Sequence, residues 1–316
     1  LAGFVQLLIQ IAPLRSINRL PVPKLNFKNE GVKKFFIVIF PAILAGGIIQ
    51  INLLIDTIFA SLLETGSPTW LYVSDRLVQL PMGIFAIGIG TVLLPTLSKL
   101  DVISERKVFI NTLQKGQRFV LFIGIPSLIG LMFCAEDIIS AIFYRGEFTQ
   151  LDVFKSSYSL IAFSFGLPFF MLMKVLTPAF FAQKNTKTPM YVAILSLLLN
   201  AALNYILAFV YGFGHVGIAI GSSISALISV FILEIILYKD GFIEIKSIFN
   251  RFNCMVLLSS TALIIFLYFY TSWVNFIELN QIERIFYLLA EIIISIIVYF
   301  SIARFIYKQP LKEILD

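Results

Sequence analysis

The residues of this sequence that could take part in chemistry are ionisable side chains set inside long apolar segments. They are Asp56, Asp75, Arg76, Lys174, Glu234 and Glu291. A charge within a hydrocarbon core is unfavourable, so such residues mark functional sites unless they lie near a segment end, from which a long side chain reaches the surface. The chemistry they suit is ligand binding, because a planar guanidinium such as that of Arg76 holds a phosphate through paired hydrogen bonds.

Asp56 and Arg76 are predicted to occupy one region of the molecule. They lie on either side of the turn at Gly66, and at 1.5 Å per residue both fall roughly 9–12 Å below the outer surface. Two interpretations stay open. Either Arg76 faces a water-filled cavity and binds a phosphate, or an Asp56–Arg76 ion pair only joins two helices. Asn52 precedes Asp56 by four residues, so both share a helix face, and this favours the cavity.

Proline and glycine interrupt the segment that follows Arg76. These residues are Pro81, Gly83, Gly88, Gly90 and Pro95. In a membrane helix they either bend the helix or let a neighbouring helix approach closely. The segment is therefore predicted to be a hinge, with tight packing and no motion as the alternative.

Lys174 precedes Pro178 by four residues. The proline removes the hydrogen bond to the carbonyl of residue 174, which predicts a kink at that point. A cation at a kink indicates a hinge along a pathway, whereas a lysine that extends to the cytoplasmic surface would be structural. Both interpretations stay open.

Other polar residues favour structural roles. Asn200 and Asn204 form an amide pair one turn apart, which is typical of hydrogen bonding between helices. Glu234 is about one turn from Lys239 and is predicted to extend to the inner surface. Glu291 lies deeper and has no obvious partner in the sequence.

The sequence contains no arrangement typical of a catalytic or metal site. It has no HExxH, GxSxG, glycine-rich phosphate loop or Walker lysine. Cys134 and Cys254 fall near opposite ends of different segments, and His215 is the single histidine, so a metal-ligand cluster is not expected. We therefore expect neither an enzyme nor a cofactor, and any transport would be driven by an ion gradient or by the membrane potential.

The elements that must position these residues are membrane-spanning helices. Hydrophobic residues make up 59% and charged residues 13% of the chain, against about 25% charged in soluble proteins. Eight apolar segments are long enough to span a bilayer. They cover about 35–63, 71–98, 117–134, 157–182, 189–211, 215–238, 252–271 and 285–306. The sequence thus predicts an all-α polytopic membrane protein, with the amphipathic segment 135–150 lying along the outer interface.

The distribution of Lys and Arg predicts the orientation of these segments. One side carries nineteen of these residues, in 15–34, 99–118, 184–187, 239–251 and 304–312, and the other side carries Arg145, Lys155 and Arg284. Positive charge concentrates on the cytoplasmic side of membrane proteins, so the C-terminus is predicted to be cytoplasmic. Because the positive charges of this chain lie in short loops, nucleic-acid binding is excluded as a function class.

Two stretches resemble motifs of a known family. Residues 50–100, QINLLIDTIFASLLETGSPTWLYVSDRLVQLPMGIFAIGIGTVLLPTLSKL, are similar to the signature region of the MurJ (MviN-type) lipid II flippases. Residues 174–194, KVLTPAFFAQKNTKTPMYVAI, resemble a second motif of that family. Together the two stretches cover about a quarter of the chain.

This resemblance implies a fourteen-helix protein of the MOP exporter superfamily, related in fold to MATE drug exporters. The implied domains are the inner end of a truncated helix (1–12), a cytoplasmic loop between lobes (13–34), the second six-helix transport lobe (35–238), a linker (239–251), two C-terminal helices that form a groove for the lipid tail (252–306), and a cytoplasmic tail (307–316). An N-terminal lobe of the same protein would be the missing partner.

The resemblance also implies a function and a site. The family moves lipid II, an undecaprenyl-diphosphate-linked peptidoglycan precursor, across the bacterial inner membrane by alternating access. Arg76 falls on a cavity residue of the family, with Asp75 beside it, and Ser74 stands in place of the usual alanine. The implied substrate-binding set also includes Asn52, Asp56 and Lys174.

Three other readings stay open at this stage. The first is a related carrier with another cargo, either a MATE drug exporter or a polysaccharide-lipid flippase. The second is a membrane enzyme acting on polyprenyl-phosphate sugars, for which Glu136 and Asp137 are the candidate acids. The third is a remnant that does not transport.

Overall fold

The computed structural model describes residues 2–17, 30–101, 104–243, 251–274 and 276–306, and within them every regular element is a helix. The α-helices are α1 Ala2–Ser16, α2 Glu30–Ser61, α3 Ser67–Pro81, α4 Gly88–Lys99, α5 Arg106–Phe133, α6 Ala135–Phe143, α7 Gln150–Ala182, α8 Lys187–Tyr205, α9 Gly214–Lys239, α10 Arg251–Trp273 and α11 Gln281–Ile306. Two π-helical segments, Met82–Ile87 and Ile206–Val210, continue α3 and α8. The chain divides into two compact units, residues 1–40 and 41–316.

The first unit contains α1 and the beginning of α2. In α1, the Ser16 hydroxyl donates to the Pro13 carbonyl at 2.7 Å, and large apolar side chains such as Phe4 and Ile9 are exposed. Both ends of the predicted loop 13–34 are helical, because α1 continues to Ser16 and α2 begins at Glu30. Residues 18–29 lie outside the described residues.

Seven helical stretches in the described residues are long and apolar enough to cross a membrane. They are Ser67–Lys99, Arg106–Phe133, Gln150–Ala182, Lys187–Val210, Gly214–Lys239, Arg251–Trp273 and Gln281–Ile306. Each corresponds to one predicted span, and the remaining predicted span, 35–63, falls on α2. The short helix α6 forms within the segment predicted to lie at the interface. The tail 307–316 and residues 244–250 of the linker lie outside the described residues.

Small residues allow α7 and α9 to pack closely at the centre of the second unit. The Ser223 hydroxyl of α9 donates to the Ala162 carbonyl of α7 at 2.7 Å. A Cβ on Gly166 would lie 2.6 Å from the Ser223 oxygen, so only glycine fits there. Close backbone approach and hydrogen bonds between helices are the main sources of helix association in lipid, where apolar burial gives little advantage.

A group of side chains around Trp70 joins the start of α3 to α7 and α9. The Trp70 indole donates to the Asp152 carboxylate at 2.7 Å, and Lys155 forms an ion pair with Glu64 at 2.9 Å. The His215 ring packs against Trp70 in a tilted arrangement, with centroids 4.8 Å apart, and its Nε2 donates to the Lys155 carbonyl at 3.0 Å. We call these five residues the Trp70 cluster. It fixes the position and the rotation of α3.

The helix that carries Arg76 is irregular where the sequence predicted a hinge. After Pro81 the helix widens into the π-helical segment Met82–Ile87 and then returns to α-helical geometry at Gly88. Proline removes one backbone hydrogen bond, and π-helical turns often occur at functional sites. By contrast, Pro178 does not interrupt α7, which stays helical from Gln150 to Ala182.

Gly90 has a packing role that the sequence left open. A Cβ on Gly90 would lie 2.8 Å from the backbone oxygen of Lys174. Because Pro178 has no N–H group, this oxygen lacks the hydrogen-bond donor that a regular helix would provide. The Cα of Gly90 lies against it and can form a weak C–H···O contact. Gly83 and Gly88 have open space at the same position. Among these three glycines, Gly90 is therefore the packing residue.

The helices α10 and α11 pack on α5 and α6. Phe122 of α5 is buried among Met255, Leu263 and Tyr299. The Tyr299 hydroxyl donates to the Phe122 carbonyl at 2.9 Å. The C-terminal helix pair is thus joined to the rest of its unit by an apolar cluster with a buried hydrogen bond.

Candidate functional site

Inward-facing residues of α3 determine which way Arg76 points. Ser74 is fully buried, and its hydroxyl lies 2.8 Å from the Trp70 carbonyl and 2.7 Å from the Ser156 carbonyl of α7. Leu77 is buried on the same side. Because Arg76 lies on the opposite side of the helix, its side chain is exposed. The serine that stands in place of alanine in the motif therefore adds a hydrogen bond between α3 and α7.

The Arg76 guanidinium is held by its own helix. It lies over the Tyr72 ring, 4.8 Å from the centroid, and its Nη1 donates to the Gln79 side chain at 3.2 Å. The Gln79 amide in turn donates to the Asp75 carboxylate. The sequence did not single out Tyr72 and Gln79. Tyr72 lies four residues before Arg76 and Gln79 three residues after it, which places both on the same face of the helix as Arg76. The result is a pre-oriented cation that can bind a phosphate.

Asp56 is bound by an amide from another helix. The Asn204 side chain of α8 donates to the Asp56 carboxylate of α2 at 2.6 Å and to the Asn200 oxygen at 2.9 Å. Asn200 donates to the Ser222 hydroxyl of α9 at 2.9 Å. This chain of hydrogen bonds joins three helices, so the amide pair has the interhelical role expected from its spacing.

The Asp56–Arg76 ion pair that the sequence left open is not formed among the described residues, where Lys155 and Glu64 form the ion pair. Instead, the Asp56 carboxylate accepts its hydrogen bond from Asn204. Asn52 is half-buried, and its side-chain oxygen has no hydrogen-bond partner in the described part of the chain. The contacts that the structure gives to the Arg76 guanidinium are those with Tyr72 and Gln79 of its own helix.

Lys174 and Glu234 each have a contact that the sequence did not predict. Lys174 is half-buried in α7, and its backbone faces Gly90. Glu234 was predicted to extend to the inner surface, but its carboxylate accepts a hydrogen bond from Gln117 of α5. Glu234 and Gln117 are both half-buried, so a donor on a neighbouring helix satisfies part of the carboxylate, and its extension to the inner surface stays a prediction.

Replacing Asn204 by leucine is expected to lower stability. The substitution leaves the Asp56 carboxylate without its donor and breaks the link to Asn200. Hydrogen bonds between membrane helices contribute about 0.6–1.7 kcal/mol each, and only the bond to Asp56 joins two helices, so we expect a loss of about 1–2 kcal/mol. Thermal unfolding in detergent measures the change. Leu198→Ala, at an exposed position of α8, is the control and should leave the unfolding temperature nearly unchanged.

Comparison with known proteins identifies a family that matches most of the chain. The family model described as lipid II flippase MurJ matches residues 1–288. A probable lipid II flippase MurJ of Vibrio cholerae is 43% identical over 241 residues, which cover 76% of this chain and 46% of the relative. The chain therefore spans about half the length of that curated relative.

Two solved structures resemble the fold. A lipid II flippase MurJ in an inward closed conformation matches with a TM-score of 0.72 and 29% identity, over 93% of this chain and 58% of the other. A eukaryotic MATE transporter matches with a TM-score of 0.60 and 14% identity, over 89% of this chain and 63% of the other. The predicted all-α fold of a MATE-like lobe with additional C-terminal helices is confirmed.

Proposed function

This chain belongs to the lipid II flippase MurJ family, and from that premise we propose that it forms the second lobe and the C-terminal helix pair of a carrier for lipid II. The cargo would be an undecaprenyl-diphosphate-linked peptidoglycan precursor, moved from the cytoplasmic to the outer leaflet. The observation that carries the proposal is the exposed Arg76 guanidinium, oriented by Tyr72 and Gln79 on a helix whose other face is buried.

The diphosphate binds to Arg76 through the fork of N–H donors. In the described part of the chain, the hydrogen bond of Arg76 to Gln79 uses one N–H group, and a guanidinium has five. The paired geometry suits phosphate oxygens better than a point charge does. Asp75, Asn52, Asp56 and Lys174 complete the polar border of the binding region, and the first lobe supplies the facing wall.

Transport proceeds by alternating access, in which two lobes rock about a fixed site. The π-helical segment Met82–Ile87 begins six residues after Arg76 and absorbs the change in helix direction, with Gly83 and Gly88 free of steric contact beside it. Gly90 and the backbone of Lys174 form the contact around which α4 and α7 adjust. The groove on the C-terminal helices 252–306 accommodates the lipid tail along exposed apolar side chains such as Leu258, Phe269 and Ile293.

The protein lies in the bacterial inner membrane as a multi-pass protein with a cytoplasmic C-terminus. The seven candidate spans and the concentration of positive charge on one side of them support this orientation. Membrane lipids surround the carrier, and an ion gradient or the membrane potential drives transport. A reporter fused after residue 316 that is active only in the cytoplasm tests the orientation, and periplasmic activity of such a fusion would contradict it.

Reconstitution tests the cargo. The full-length protein that contains this chain is placed in liposomes with fluorescently labelled lipid II in one leaflet, and movement to the other leaflet is measured by a quencher that cannot cross. We expect movement of lipid II and none of a labelled phospholipid or of a cationic dye. Export of the dye without movement of lipid II would replace this proposal by a drug-exporter function.

A further inference from the structure

Glu291 is a fully buried carboxyl group in α11. Its side chain is 0% exposed, and within the described residues neither carboxylate oxygen has a nitrogen or oxygen donor, so that the thiol of Cys134 is the weak donor available to it. An ionised carboxylate in such surroundings would lose its hydration without compensation. The group therefore requires either a positive charge nearby or a bound proton.

A second buried carboxyl group faces Glu291 from α6. Asp137 is 7% exposed, and its Oδ2 atom is buried without a hydrogen-bond partner in the described part of the chain. Among charged neighbours, Glu291 acts most strongly on Asp137, followed by Glu136. Two carboxylates that share a dry site cannot both ionise, so one of them retains a proton.

The other titratable groups that act on this pair are acids as well. They are Cys134, Glu136 and Tyr270. Burial, together with the charge of Glu291, raises the pKa of the Cys134 thiol, so the thiol stays neutral. The Tyr270 hydroxyl of α10 donates to the Tyr287 carbonyl at 2.9 Å. Each of these groups adds negative charge if it ionises, and therefore favours retention of the proton.

The nearest arginine along α11 does not neutralise the pair, because its donors bind carbonyl groups. Arg284 lies two turns before Glu291. Its Nε donates to the Phe276 carbonyl at 2.7 Å and its Nη2 to the Ile277 carbonyl at 3.0 Å. Its guanidinium also lies over the Tyr144 ring, 4.5 Å from the centroid. The N–H donors of Arg284 are therefore directed to backbone carbonyl groups and not to the two carboxyl groups.

A metal ion suits the site less well than a proton. The described residues contain no group of three or more His, Cys, Asp or Glu side chains arranged to hold a metal. We propose that Asp137 and Glu291 form a proton-binding carboxyl pair that, when protonated, stabilises the packing of α10 and α11 on α6.

The proposal predicts a direction for the pH dependence of stability. Burial, reinforced by Glu291 and Glu136, raises the pKa of Asp137 from 3.8 to about 8. The folded protein then holds a proton that the unfolded chain releases, so the contribution of Asp137 to stability is fully present below pH 4 and decreases as the pH rises to about 8. The variants Asp137→Asn and Glu291→Gln mimic the neutral form and should weaken this dependence.

Infrared difference spectroscopy of the full-length protein in lipid nanodiscs detects the proton directly. We expect the carbonyl stretch of a protonated carboxylic acid at pH 6, its downward shift in D2O, and its disappearance above pH 9. Each single variant, Asp137→Asn or Glu291→Gln, should shift this band or its titration, because the remaining buried acid keeps a proton, and the double variant should lack it. Glu147→Gln, at an exposed loop position, is the matched control and should retain it.

Two results would overturn the proposal. One is a wild-type spectrum without such a band, or a double variant that retains it, since the proton would then not lie on this pair. The other is a stabilisation of the wild-type protein by Na+, Mg2+ or Ca2+ at constant pH that Glu291→Gln abolishes, since the pair would then hold a cation. Glu234→Gln removes another partly buried carboxyl group and shows which bands belong to that site.

Discussion

Replacing Arg76 by alanine is expected to abolish movement of lipid II while leaving the protein folded. The side chain is exposed and its hydrogen bond goes to Gln79 of the same helix, so its removal opens no cavity in the core. A hydrogen bond to a charged group contributes about 1.5–3 kcal/mol. The loss of two such bonds to a diphosphate would therefore lower the affinity for lipid II by at least about a hundredfold. Flipping in liposomes and binding of labelled lipid II in detergent measure the two effects.

The lysine variant separates charge from geometry. Arg76→Lys keeps the positive charge but lacks the planar fork, so we expect partial activity, roughly ten- to a hundredfold below wild type. Arg145→Ala removes an exposed arginine outside the site and serves as the control with normal transport. If Arg76→Ala moved lipid II at the wild-type rate with the same unfolding temperature, Arg76 would have no part in the mechanism.

Replacing Gly90 by alanine is expected to give the largest loss of stability among the glycines of this helix. The new Cβ would lie 2.8 Å from the Lys174 oxygen, which belongs to the backbone and cannot rotate away. Forcing an extra methyl group into a packed contact destabilises by about 1–3 kcal/mol. The unfolding temperature in detergent should therefore decrease, and transport should decrease with it because α4 and α7 are pushed apart.

Gly88→Ala is the matched control for this prediction. It lies two residues earlier in the same helix, and a Cβ there has nothing within 4 Å. Alanine favours helices over glycine by about 1 kcal/mol, so this variant should be as stable as wild type or slightly more stable. Equal unfolding temperatures for Gly90→Ala and Gly88→Ala would show that the contact with Lys174 does not determine stability.

Much of the fold could be predicted from local sequence patterns. Apolar length alone indicates the spans, because a bilayer requires about 20 apolar residues for each crossing. The exposure of Arg76 also follows from local spacing, since Trp70, Ser74 and Leu77 occupy the opposite face of one helix. Where one helix determines the outcome, the sequence was sufficient.

The contacts that the sequence could not predict join residues far apart in the chain. Asp56 and Asn204 are separated by 148 positions in the sequence. Asp137 and Glu291 lie on α6 and α11, which pack together although four helices separate them in the sequence. Two acceptable partners for Asp56 existed in the sequence, Arg76 and an amide, and packing selected the amide. The same applies to Pro81 and Pro178, since only the former is followed by a π-helical turn.

The Trp70 cluster has a practical consequence for spectroscopy. This chain has two tryptophans. Trp70 is 3% exposed within the cluster, whereas Trp273 at the end of α10 is 79% exposed. Indole emission is sensitive to its surroundings, so the two fluorophores should emit at separate wavelengths. A Trp273→Phe variant would leave Trp70 as an intrinsic reporter of this chain's transport lobe, and a Trp70→Phe variant would leave a reporter of the C-terminal helices.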